Sequence, residues 1–209
     1  MPYLSLFNAT TPAVGDVNNA EGQPGITVGT RWFTDQEGAV HGIRFYLGTR
    51  AYDGGAVTVG LFDGASGTGN AVLGQKTYTV TSSDALGFVT VMLDTPVIVK
   101  RQYPYVAAVF MLCDGSPDGH SHYCVTSNFF QTSQFDNPPL HAFKRDAILD
   151  RQNGVFVYGS SLAYPTQVFN GACYFADVAF DYVDMVQVKS GGVYGRHPVK
   201  VRVGGQWVL

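Results

Sequence analysis

The residues able to do chemistry are few, and many of them crowd into one irregular stretch. His120-Ser121-His122 offers two imidazoles, with Asp118 and Cys124 near in sequence. The spacing matches no zinc pattern, so a solvated loop is the plainer reading. Asp114-Gly115-Ser116-Pro117-Asp118 carries oxygen ligands of the kind calcium takes, but lacks the acidic density and closing glutamate of a dedicated loop. Asp114 and Asp118 are therefore weak calcium candidates, and no cofactor is expected beyond such a structural ion. Cys113, Cys124 and Cys173 make an odd count without a C-x-x-C pair. Cys113 and Cys124 can bridge a short excursion, or all three can serve as small buried thiols.

Catalytic patterns are missing. Glycoside cleavage needs two carboxylates facing each other across a cleft. Glu21 and Glu37 are the only glutamates, and both lie near the N-terminus. Asp118 and Asp177 are the aspartates that an envelope polysaccharide-degrading enzyme would use first. No Gly-x-Ser-x-Gly, phosphate loop or dinucleotide fingerprint occurs. The chain reads as a non-enzyme. Aromatic side chains are the stronger signal, because Tyr and Trp rings stack on the apolar faces of sugars while neighbouring polar groups bind hydroxyls. Tyr123, His122, Asn128, Phe129, Tyr158 and Tyr164 are the expected ligand-binding residues, meeting at one end of the fold. The competing reading is that these rings fill the core.

The elements that must position these residues are strands. Charged residues are only 14% of 209, against 25 Gly, 12 Tyr and 14 Phe, which suits short strands and tight turns. In Gly38–Gly48, Ile43, Phe45 and Leu47 alternate with Arg44 and Tyr46, predicting a strand with one face on a core. Similar patterns predict strands at 26–33, 57–61, 76–81, 88–93, 155–158 and 174–182. Pro96 restricts its segment to an edge or a strand start. Tyr105–Leu112 is almost wholly apolar and predicts a central strand covered on both faces. Residues 113–140 lose regularity, and 143–152 is the one place where a helical turn or two is expected. The pattern predicts an all-β, two-sheet antiparallel jelly-roll sandwich over 26–183. An extended arm or linker over 1–25 precedes it, and a C-terminal β-hairpin element over 184–209 follows.

That last element differs in kind. Residues 185–209 hold Lys189, Arg196, Lys200 and Arg202 and no acid, whereas residues 1–184 hold 9 basic and 16 acidic residues. The acidic body argues against nucleic-acid binding. No segment is apolar enough for membrane insertion, and no charged, then apolar, secretory leader is seen. Val199, Val201 and Val203 alternate with Lys200 and Arg202 before Gly204-Gly205, a hairpin turn, and Trp207 follows. So small a ribbon is marginal alone. Val201, Val203 and Trp207 are expected to dock it on the body, on a sibling chain or on a larger assembly.

Two resemblances add to this reading. Gly42-Ile43-Arg44-Phe45-Tyr46, Gly154–Gly159, Tyr164-Pro165 and Tyr174–Phe180 resemble a β-sandwich domain of unknown function. That domain occurs in secreted and cell-surface bacterial proteins, often beside glycan-active modules. It implies a jelly-roll fold and, by analogy, carbohydrate binding. Arg196–Val208 resembles the C-terminal ending of minor tail proteins in phages of actinobacteria. That ending implies a virion protein, assembled in the host cytoplasm and released by lysis, with other virion proteins as partners and a homo-oligomeric state. The combined expectation is a minor tail or tail-tip component that binds a host-surface glycan. Alternatives are a ligand-free decoration protein of capsid or tail, the enzyme above, and an extracellular bacterial binding module.

Overall fold

The computed structural model describes residues 3–8, 10–17, 22–65, 70–112, 122–146 and 151–182, together with the backbone of four strands between 185 and 208. The fold is all-β, with antiparallel sheets arranged as a sandwich and not closed into a barrel. Six long strands make its frame: β2 (Gly25–Thr34), β3 (Gly38–Leu47), β4 (Ala56–Asp63), β5 (Val72–Thr79), β6 (Gly87–Val99) and β7 (Tyr105–Leu112). Shorter ones surround it: β1 (Val14–Val17), β8 (Tyr123–Val125), β9 (Phe135–Asn137), β10 (Leu140–Ala142), β11 (Val155–Tyr158), β12 (Gln167–Val168) and β13 (Ala176–Tyr182).

The large sheet runs β12-β11-β2-β7-β4-β5, with β10 also pairing β2 and β9 pairing β10. The small sheet is β13-β3-β6. Successive long strands change sheet at β2–β3, β3–β4, β5–β6 and β6–β7, the jelly-roll habit. Strand β7 lies between β2 and β4 and is covered twice, as its unbroken apolar run predicts. Ala107, Val109 and Met111 face the main core, while Val106 and Ala108 sit with Phe62 and Val155 under Leu162 and Tyr164. Pro96 falls in β6, an edge strand, next to the point where its register with β3 slips between Val40 and Gly42. An edge with an interrupted ladder is where a residue without an amide hydrogen does least harm. Of the 143–152 stretch expected to hold helical turns, residues 143–146 are irregular and 147–150 lie outside the described residues.

Within the expected arm over 1–25, the described residues 3–8 and 14–17 are built into the sandwich. Leu4 exchanges two backbone hydrogen bonds with Phe180 on β13 (2.8 and 2.9 Å). Leu6 and Phe7 are fully buried, and Phe7 packs against Phe129, Phe130, Phe135 and Phe175. Burying one such ring stabilises by roughly 1.5–3 kcal/mol. Farther along, β1 pairs with β8. Its close approach to the end of β3 is possible only because residue 48 is glycine, since a Cβ there would stand 1.7 Å from the Gly15 carbonyl oxygen.

A buried carboxylate locks the arm down. Asp177 lies opposite Arg44 in the β13–β3 ladder and accepts from its Nη1 at 2.8 Å. It also accepts from the backbone amides of Leu6 (2.7 Å), Phe7 (3.2 Å) and Val178 (2.7 Å). Burial pushes its carboxyl up to about 6, against the pull of Arg44 and those amides. The Arg44 guanidinium lies 4.4 Å from the Phe88 ring centroid. The face of β3 that reads as amphipathic in sequence thus meets the arm through Asp177 and the Phe88 and Phe175 rings through Arg44 and Tyr46.

In the tail, β14 (Met185–Ser190) pairs with β15 (Val193–Pro198), and β16 (Val201–Val203) pairs with β17 (Gln206–Val208). Each pair is a separate two-stranded sheet, and the expected turns at Gly191-Gly192 and Gly204-Gly205 lie outside the described residues. The side chains of Val201, Val203 and Trp207 lie outside the described residues.

Asp177→Ala leaves Arg44 and two arm amides without their acceptor. We expect a loss of about 3–5 kcal/mol in urea unfolding, with the arm becoming accessible to protease before the sandwich does. Wild-type stability in this variant would show that the ion pair does not hold the arm.

Candidate functional site

The two sheets differ in width, and the larger leaves part of its inner face uncovered by the smaller. Strand β11 extends the large sheet past β2, with Phe156 opposite Val28 and Tyr158 opposite Ile26. Alternation puts Phe156 and Tyr158 on the core-facing side and Val155 on the other. The β1–β8 ribbon forms the facing wall and contributes Val17, Tyr123 and Val125. Phe169 and Tyr174 complete a groove of about 300 Å³. Five aromatic rings border it, and Ser127 adds a hydroxyl.

The rings hold one another in place. Tyr123 meets Tyr174 edge to face at 5.5 Å, and Phe156 meets Tyr158 in the same way at 5.6 Å. Burial pushes the Tyr174 phenol far up, and the Tyr123 and Tyr158 phenols add to the shift. Tyr174 therefore stays neutral at physiological pH and keeps its hydroxyl as both donor and acceptor. Phe169, half exposed, forms the open lip. The arrangement offers stacking surfaces and phenolic hydroxyls together, which suits a ligand with apolar faces and polar edges.

Of the residues expected to bind ligand, Tyr123 and Tyr158 meet here. The others go elsewhere. Phe129 joins the cluster around Phe7 and Phe175. Asn128 is an exposed turn residue with φ of 60°. His122 is buried, 6.0 Å from the Tyr52 ring. Tyr164 covers the outer face of the large sheet, against Phe62 at 5.7 Å and under Arg31. Asp177, a candidate for an enzymatic carboxylate, is fully buried and committed to the arm. His120, Asp114, Asp118 and Cys113 lie outside the described residues. Cys124 is buried with Sγ 3.0 Å from the Gly15 carbonyl oxygen. Phe156, Phe169 and Tyr174 are groove residues that sequence reasoning did not single out. The signal was present for Phe156, which shares the period-two face of Tyr158.

A match to the family described as Domain of unknown function (DUF4082) covers residues 9–176. The chain belongs to this family. The DUF4082 match begins inside the arm, in keeping with β1 being a working strand of the sandwich. It takes in every groove residue and ends before the tail. No curated protein matches the chain.

One further polar cluster lies within the DUF4082 region. His141 on β10 is gripped from both sides, with Nδ1 2.5 Å from Asp136 and Nε2 2.7 Å from Asp35. Its ring stacks on Phe33 with centroids 4.8 Å apart. Burial disfavours the imidazolium, but the hydrogen bonds and charges of Asp136 and Asp35 outweigh it, so the His141 pKa is raised. Burial likewise opposes ionisation of Asp136, and the bonds from His141 and Gln134 overcome it, so its pKa is lowered.

The raised His141 contributes stability that is complete below its unfolded value near 6.5 and is lost as pH rises through the folded pKa. The lowered Asp136 contributes above its unfolded value near 3.8 and is lost as pH falls. The stability difference between wild type and His141→Gln should therefore be largest near pH 5–6 and shrink as pH is raised above the unfolded histidine range. Denaturation curves at a series of pH values check this, and a pH-independent difference would refute the clamp.

Proposed function

We propose that this protein is a non-enzymatic component of a phage particle, a minor tail or tail-tip protein, whose sandwich binds a host-surface carbohydrate in the aromatic groove. The groove carries the reading. Five rings around about 300 Å³, two of them phenols packed edge to face, provide platforms for sugar C–H faces and hydroxyls for their polar edges. The tail supports the virion setting through the Arg196–Val208 ending and its two hairpins. Two-stranded ribbons of this length are marginal unless something packs on them. Several copies held together would strengthen a weak saccharide contact by avidity.

Purified protein on an array of bacterial surface glycans tests the binding. Phe156→Ala and Tyr158→Ala should each weaken it by on the order of tenfold, about 1.4 kcal/mol. Tyr164→Ala should leave it unchanged. Silence across all host fractions would favour a decoration protein without a ligand, and release of reducing sugar would favour an enzyme.

The tail is tested separately. Removing residues 185–209 should leave sandwich unfolding unchanged and lower the assembled mass measured by light scattering. An unchanged mass would remove the assembly role from the tail.

A further inference from the structure

A second cavity, of about 290 Å³, lies at the far end of β2 from the groove. Ile26 borders the groove and Phe33 borders the cavity, and seven residue steps along the strand separate them by about 23 Å. They also belong to opposite faces. Ile26, Val28 and Trp32 pack in the core, while Arg31 and Phe33 alternate with them on the outer side.

The cavity wall has three kinds of group. Phe33 and Phe143, with ring centroids 4.8 Å apart, give an apolar surface. Gln102 and Gln134 give amides, and the exposed Lys144 and Arg151 give positive charge. Asp146 also borders the cavity, so the two cations exceed the lining's acid by one.

The aromatic and amide walls are held from behind. The Phe143 amide donates to the Arg31 carbonyl at 3.1 Å, and its own carbonyl accepts from Asn153 Nδ2 at 2.9 Å. Asn153 is fully buried and bridges the Arg31 amide and carbonyl as well. Gln102 Nε2 donates to Asp35 and Gln134 Nε2 donates to Asp136, each at 2.5 Å. Those are the two carboxylates that clamp His141. A carboxylate only accepts, so each amide must turn its nitrogen toward it, which leaves the amide oxygen to accept from a ligand. Walls fixed before a ligand arrives spare it the cost of ordering them.

We infer that this cavity binds a carboxylated sugar, a hexuronate unit. The ring's C–H face lies on Phe33 and Phe143. Hydroxyls donate to the amide oxygens of Gln102 and Gln134, and the carboxylate meets Lys144 and Arg151. A simple anion has no use for the aromatic wall, and a neutral sugar has none for the cations. The inference does not rest on the groove, and it survives if the groove binds nothing.

Titration of D-glucuronate into the isotopically labelled full chain, followed by NMR, tests it, with D-glucose and acetate as comparison probes. Saturable shifts should appear at the Gln102 and Gln134 side-chain amides, with glucuronate at least tenfold tighter than either comparison. Added salt should weaken it. The K144Q/R151Q double variant, altered only at exposed side chains, should fall to the glucose level, while Tyr158→Ala should bind glucuronate as wild type does. A galacturonate trisaccharide separates sources. Tighter binding than the monosaccharide supports a unit within a polymer, and equal binding supports a free or terminal unit. Acetate binding as well as glucuronate, no saturable response, or no loss in the double variant would overturn the assignment.

Discussion

A carboxylate without access to water holds the N-terminal arm against the small sheet. Removing such a group from solvent costs several kcal/mol, which only well-made partners offset. Asp177 has four: the Arg44 guanidinium and the amides of Leu6, Phe7 and Val178. Even so, burial keeps its pKa near 6. Below its unfolded value near 3.8 the carboxyl carries no charge. As pH rises to about 6 the charge develops and folding stability from this group falls, after which it is level. At neutral pH the pair therefore contributes position more than energy. It sets the β13–β3 register and fixes where the arm enters, and the arm then covers Phe175 through Phe7.

That covering shapes the rest of the molecule. With the arm docked, β1 reaches β8, and the ribbon they form becomes one wall of the aromatic groove. The other wall exists because a six-strand path faces a three-strand sheet, leaving β11 to overhang. Apolar positions that a matched sandwich would bury are instead left half covered. The ribbon, the overhanging strand and Tyr174 at the entry to β13 meet there. The groove is a product of packing between segments far apart in the chain.

Period-two patterns carried much of the fold into view. The alternation of Ile43, Phe45 and Leu47 marks β3, and the unbroken run of Tyr105–Leu112 marks the central β7, because a strand covered twice has no need of polar positions. The strand signals of the tail fall within its two strand pairs. The arm was harder to read. Its prolines and glycines resemble those of a linker, while Leu6 and Phe7, the residues that anchor it, occupy too few positions to show a period. Among the site residues, Tyr123 and Tyr158 were legible as aromatics beside irregular or exposed segments. Phe129 and Tyr164 carry the same signal, yet Phe129 joins the rings around Phe7 and Tyr164 lies on the outer face of the large sheet, since ring type does not say which neighbour will cover it. The Asp35–His141–Asp136 clamp had no signal, its first and last members being about a hundred residues apart.

The sequence by itself determined an all-β chain, the location of its long strands, and the contrast between a weakly charged body and a basic tail. Those properties are local: alternation, turn residues and charge are written within a few positions of one another. Only the tertiary structure decided that Asp177 is a buried anchor, that the arm belongs to the sandwich, and which rings face the groove. Each depends on contacts across a hundred residues or more, where the outcome is set by which surfaces meet and exclude water rather than by any residue's own preference.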